Sequence, residues 1–143
     1  MTARDDLSQM PGHLIRRLNQ RSTAVFSERM KSAPVELTSV QYAALDVLAR
    51  EPGIDQARLA ALIAYDRATI GEVVKRLVQK GLVARQVNED DRRARSLRLT
   101  GEGEAALAQV APLVAALQAD ILETLTEAER AQFLALARKA VES

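Results

Sequence analysis

Residues 54–103 read IDQARLAALIAYDRATIGEVVKRLVQKGLVARQVNEDDRRARSLRLTGEG, and the order of signals in them decides the fold. Asp55 is placed to cap a short helix from Gln56 to Ile63, with Leu59, Leu62 and Ile63 turned inward. Ala64 and Tyr65 make a brief connection. Asp66 then caps a longer helix to Lys80, because Ile70, Val73, Val74, Leu77 and Val78 recur at i, i+3, i+4, i+7 and i+8 and so form one apolar stripe. Gly81 stands where a helix ends in the left-handed conformation. Leu82 to Val87 predicts a strand, Asn88 to Arg93 a charged turn, and Arg95 to Thr100, with Leu97 and Leu99 on one face, a second strand. Two helices joined by a tight turn and followed by a hairpin with a charged tip follow the order of a winged helix-turn-helix.

The flanks extend this lobe with helices. Residues 1–9 read as a frayed tail. Leu14, Ile15, Leu18, Val25, Phe26 and Met30 repeat at helical spacing from Pro11 to about Ser32, and Ala33-Pro34 stops that helix. Thr38-Ser39-Val40-Gln41 is a capping box that opens a helix to about Ala49, and Glu51-Pro52-Gly53 is a turn. Beyond the hairpin, Thr100 caps a helix whose stripe runs through Leu107, Val110, Val114, Leu117, Ile121 and Leu125, with a bend expected at Pro112. Thr126 and Glu129 form a second capping box before a last helix bearing Phe133, Leu134, Leu136, Ala137 and Val141.

The expected architecture is mainly α. It is a single domain over 1–143, with the winged helix-turn-helix lobe at 36–100 and N- and C-terminal dimerisation helices at 9–33 and 101–143. The dimer follows from excess apolar surface. Leu107, Val110, Leu113, Val114, Leu117, Ile121, Leu122, Leu125, Phe133, Leu134 and Leu136 exceed what one small lobe covers, so a two-fold partner is expected to bury them.

Composition narrows the function. The chain has 143 residues, 48% apolar and 27% charged, which fits one soluble domain with a core of its own. It has no Cys and a single His, which excludes disulfides and thiolate metal sites and argues against a His-relay enzyme. Phe26, Tyr42, Tyr65 and Phe133 are its only aromatics, too few for a platform that stacks single-stranded bases. No apolar run approaches the roughly 20 residues that span a bilayer. The acid-bearing N-terminus has no signal-peptide core, so a cytoplasmic protein without membrane contact is expected. Net charge is +1, but Arg58 to Arg98 holds ten bases against five acids, while the remainder is acidic. A basic middle of this kind suits a polyanion.

The charged positions have a geometry to match. Burying the Ile70–Leu77 stripe turns Arg67, Ala68, Thr69, Glu72, Lys75, Arg76 and Gln79 outward. Ala68 and Thr69 are small enough for a close approach to base edges, with Arg67 beside them, and Lys75 and Arg76 are placed for phosphates. Arg92, Arg93 and Arg95 sit on a protruding tip that suits a minor groove. Double-stranded DNA is therefore the expected partner.

The same stretch resembles the MarR family of winged-helix regulators, and the flanking helices extend the similarity over most of the chain. The most specific part is Asp91-Arg92-Arg93-Ala94-Arg95-Ser96-Leu97 followed by Arg98-Leu99-Thr100, which is similar to that family's acidic-x-Arg wing and its Leu-Thr strand end. The resemblance implies a homodimer on a pseudo-palindromic operator, usually a repressor, released by a small aromatic acid. It makes Arg93 the minor-groove arginine and Asp91 the carboxylate that holds it or a neighbouring base. It places the effector between the dimer helices and the DNA-binding lobe, where His13, Arg16, Arg17, Arg21, Ser22 and Tyr42 are the candidates. An aromatic or pyridine carboxylate, such as an intermediate of nicotinate breakdown, is the expected ligand class. No cofactor is expected.

Three other readings compete. An enzyme would have only Asp90-Asp91 as a tight carboxylate pair, with no His or Cys partner. A helical protein-interaction adaptor explains the apolar helices but not an Arg-rich hairpin after a basic helix. A ligand-independent architectural DNA-binding protein differs from a regulator only in lacking an effector.

Overall fold

Side-chain caps set where five of the six helices begin, and the first opens on Pro11 without one. The computed structural model describes residues 6–63, 65–87 and 95–142. After a 3-10 turn at Leu7–Gln9 come α1 (Pro11–Met30), α2 (Ser39–Arg50), α3 (Gln56–Leu62) and α4 (Arg67–Gln79). Strands β1 (Val83–Val87) and β2 (Arg95–Leu99) pair antiparallel, and α5 (Gly101–Ile121) and α6 (Glu127–Val141) follow. Both capping boxes form. The Thr38 hydroxyl accepts the Gln41 amide at 3.2 Å while the Gln41 side chain accepts the Thr38 amide at 3.0 Å. Thr126 and Glu129 repeat the exchange at 3.2 and 2.8 Å. Asp55, Asp66 and Thr100 cap α3, α4 and α5 through the amides of Arg58, Thr69 and Gly103.

The core joins the lobe to α5. Leu45 and Leu48 of α2, Leu59 of α3, Ile70, Val74 and Leu77 of α4, Leu97 of β2, and Val110 and Leu117 of α5 are fully buried. Each such side chain contributes on the order of 1.5–3 kcal/mol relative to exposure. The hairpin register pairs Val83 with Leu99, Arg85 with Leu97 and Val87 with Arg95, so these six share one face. A further backbone pairing lies behind β2, absent from the two-strand expectation. The Gly53 amide donates to the Leu97 carbonyl, and the Leu97 amide donates to the Ile54 carbonyl, both at 2.9 Å. Gly53 supports it with φ of +89°, a left-handed conformation that a side chain would strain.

Three expectations are corrected. Leu62 is exposed rather than inward, because α3 has only two turns and buries Leu59 and Ala60 instead. α5 ends at Ile121 rather than near Leu125. The Arg21 guanidinium caps that end: its Nε donates to the Ile121 carbonyl at 2.8 Å and an Nη to the Asp120 carbonyl at 3.2 Å, partnering carbonyls that the helix leaves free there. Of the apolar residues assigned to a partner, Val110, Val114 and Leu117 are buried within the chain itself, because that side of α5 lies against the lobe and α1. Leu134 and Leu136 do remain exposed, and α6 has no buried residue. Helix α5 continues through Pro112 as one helix. Among the described residues, no helix is long and apolar enough to cross a membrane.

Gly103 marks where α5 meets the end of α4. A Cβ there would overlap the Leu82 carbonyl oxygen, whereas one on Gly101 would meet nothing within 4 Å. Gly103→Ala should therefore destabilise the fold by about 2 kcal/mol through forced overpacking. Gly101→Ala should stay within about 0.5 kcal/mol of wild type. Urea unfolding of the two variants checks the contrast, and equal midpoints would contradict it.

Candidate nucleic-acid interface

Helix α4 is amphipathic, and its two faces separate cleanly. Ile70, Val73, Val74 and Leu77 are buried. Arg67, Ala68, Glu72, Lys75, Arg76 and Gln79 are exposed, and Thr69 is half-buried. Neither Lys75 nor Arg76 takes part in an ion pair among the described residues. Their charge is therefore presented to whatever approaches the helix.

Both ends of α4 are defined by hydrogen bonds. At the start, Asp66 accepts the Thr69 amide through one carboxylate oxygen and the Thr69 hydroxyl through the other, each at 2.7 Å. The Thr69 hydroxyl proton is thereby committed to the cap, which leaves its methyl group and oxygen lone pairs for an outside partner. At the close, the Gly81 amide donates to Val78 and the Leu82 amide to Leu77, both at 3.0 Å. This is a Schellman ending, and Gly81 carries it with φ of +76°.

The hairpin adds basic residues beside α3. Arg95, on β2, lies two register positions from Arg85 on the same face, and both line a small recess of about 280 Å³ with Asp55, Gln56 and Ala57. The sequence reading missed Arg85. The register of the hairpin exposes it, because Arg85 faces Leu97, two residues from Arg95. Asp91, Arg92 and Arg93 lie outside the described residues.

The proposed effector residues do not converge on one cavity. Arg17 and Arg21 line a groove of about 680 Å³ with Leu14, Leu18, Val25 and Phe133. Arg21 spends its fork on the end of α5 and on Glu123, 2.9 Å away. His13 and Ser22 are half-buried on α1, and Arg16 is exposed. Tyr42 packs against Phe26 with ring centroids 6.5 Å apart. Burial, and then Asp46, push the Tyr42 hydroxyl above its ordinary pKa. A second cleft, of about 790 Å³, opens between α1, the α1–α2 linker and the end of α4. Phe26, Met30 and Leu37 supply apolar lining, and Arg76 and Lys80 supply positive charge.

A capped two-helix unit with a basic outer helix and a flanking hairpin defines a winged helix-turn-helix protein. The MarR family model matches residues 36–94. HosA of Escherichia coli, a transcriptional regulator, is 34% identical over 127 residues, covering 89% of this chain and 91% of that one. PcaV of Streptomyces coelicolor, a transcriptional regulator solved with its natural ligand, superposes with a TM-score of 0.84 at 36% identity over 99% of both chains. BpsR of Bordetella bronchiseptica, whose DNA binding is regulated by 6-hydroxynicotinic acid, superposes with a TM-score of 0.88 at 28% identity, again over 99% of both. The chain belongs to the MarR family and is a transcriptional regulator.

The cap of α4 has a pH signature. Hydrogen bonds from the Thr69 amide and then the Thr69 hydroxyl hold the Asp66 carboxyl below its ordinary value of 3.8. The charged form is thus favoured in the folded state, so the cap's contribution is complete above that value and is lost as pH falls through the lowered one. The Thr69 amide resonance should titrate with a midpoint below 3.8. A midpoint at or above that value would contradict the cap.

Proposed function

We propose that this protein binds duplex DNA as a homodimer, with α4 in the major groove, and leaves it when a small aromatic or pyridine carboxylate binds. The observation that carries the reading is the exposed basic face of α4, directly opposite the stripe that anchors the helix. In this reading 36–100 is the DNA-binding lobe, and 9–33 with 101–143 are the dimerisation helices. Arg67, Ala68 and Thr69 face base edges, Lys75 and Arg76 meet phosphates, and Arg93, with Arg92 and Arg95 beside it and Asp91 holding it, enters the minor groove.

Exposed apolar surface supports the dimer. Leu14, Ile15, Leu134, Leu136 and Val141 are all open to solvent, Ile15 at 65% and Val141 at 79%. Such residues on the first and last helices match a two-fold seam, which would set two copies of α4 about one DNA turn apart. Light scattering should give twice the 15.6 kDa chain mass. A monomer would remove the paired-helix geometry.

Phosphate contacts release counterions, so each one removed lowers the salt slope of binding by about one. Arg76→Ala and Lys75→Ala should each do so on a duplex enriched by the wild-type protein from a random pool. Arg93→Ala should cost roughly tenfold or more in affinity while leaving the dimer intact. Retention of wild-type affinity and slope in all three would overturn the reading and favour a protein-interaction adaptor.

For the effector, a carboxylate with an apolar ring matches a cleft that combines apolar lining with positive charge. The cleft beside Arg76 and Lys80 offers that combination, and BpsR provides the precedent of an acid regulating DNA binding. His13, Arg16, Arg17, Ser22 and Tyr42 remain the α1 and α2 candidates for completing a site in the dimer. Arg21 is the weakest of the six, given its bonds to α5. A hundredfold release needs about 2.7 kcal/mol of differential binding to the two conformers. Hydroxylated benzoates and pyridine carboxylates should raise the melting temperature and displace the duplex. If none does, the protein is ligand-independent toward this class.

A further inference from the structure

Lys80 belongs to the basic stretch, yet its side chain does not join the outward face of α4. Its ammonium donates to the Glu36 carbonyl at 2.6 Å and reaches the Gln41 side-chain oxygen at 3.4 Å. Gln41 is 6% exposed, and the same oxygen accepts the Thr38 amide in the α2 capping box. Lys80 therefore connects the C-terminal end of the recognition helix to the linker between α1 and α2.

That connection differs in kind from the others α4 makes. The Ile70–Leu77 stripe anchors the helix through apolar contact, which is non-directional and permits small rotations and slides. The Asp66 cap is local to the helix, and so fixes its start without referring it to another element. Among the described residues, the Lys80 bonds are the only long-range side-chain hydrogen bonds from α4 and its C-cap; the Thr100 hydroxyl bonds the Gly81 carbonyl one residue on, and that refers the helix end to α5 rather than to the linker. They are directional and charge-assisted, the class of contact that holds an angle.

We propose that Lys80 is a positioning residue for DNA binding: it sets the pose of α4 against the α1–α2 linker without touching phosphate. The proposal rests on the DNA-binding reading of α4. It also gives α1 a path to the recognition helix, since the linker begins where α1 ends and the same cleft is lined by Arg76 and Lys80 from the end of α4 and by Phe26 and Met30 from α1.

The test uses the full-length protein and the duplex that wild type enriches from a random pool. Lys80 is exposed, so Lys80→Met should keep wild-type helix content and mass. It should lose about tenfold in affinity, because apparent affinity falls with the fraction of protein whose α4 is correctly posed, with an unchanged salt slope. Lys80→Arg restores a charged donor and should stay within about threefold of wild type. Arg76→Ala is the control for a phosphate contact, and its slope should fall by about one. Unchanged affinity in Lys80→Met overturns the proposal. So does a slope that falls as in Arg76→Ala, which would make Lys80 a phosphate contact. If wild type enriches no duplex, the DNA-binding reading itself fails and takes this one with it. That result is distinct from a Lys80→Met protein that binds like wild type.

Discussion

Two adjacent carbonyl groups, those of Gly81 and Leu82, hold the molecule's working parts in register. The Thr100 hydroxyl donates to the first at 2.6 Å, and the Thr100 amide donates to the second at 3.0 Å. The same hydroxyl oxygen accepts the Gly103 amide and so starts α5. Recognition helix, hairpin and α5 therefore meet within a few residues. Gly103 lets them come this close, because a side chain there would collide with the Leu82 backbone. A shift of α5 is accordingly felt at the end of α4 through backbone bonds as well as through side-chain packing.

The opposite end of α5 is held by α1. Arg21 occupies its last carbonyls and pairs with Glu123, while Arg29 pairs with Asp120 at 3.0 Å. These ion pairs are largely exposed and contribute little as charge pairs alone. Their geometric effect is larger, because carbonyls at a helix terminus lack intrahelical partners and Arg21 supplies one. The chain thus forms a frame in which α1 and α5 are clasped at one end, α5 and α4 are joined at the other, and α6 is left with no buried residue.

Basic residues that look alike along the chain take different roles in this frame. Lys75 and Arg76 stand clear of ion pairs among the described residues, while Lys80, four residues beyond Arg76, turns back onto the linker. Arg17 faces an apolar groove, and Arg21, one helical turn on, is spent on a helix end. The two are four residues apart and so share one helix face. That spacing is right, but which acceptors lie opposite depends on where α5 stops.

Periodicity, caps and breakers are local, and those parts of the protein were legible in the chain: all six helices, both capping boxes, the Gly81 ending and the buried stripe of α4. Each depends on residues within about four positions of one another, where backbone geometry leaves few choices. What required the tertiary structure was long-range. The Gly53–Ile54 pairing behind β2, the inward turn of Val110, Val114 and Leu117, the early end of α5 at Arg21, and the Lys80 bond to Glu36 all join residues far apart in sequence. Their partners are selected by how the helices pack, and a side chain's own neighbours carry no record of that choice.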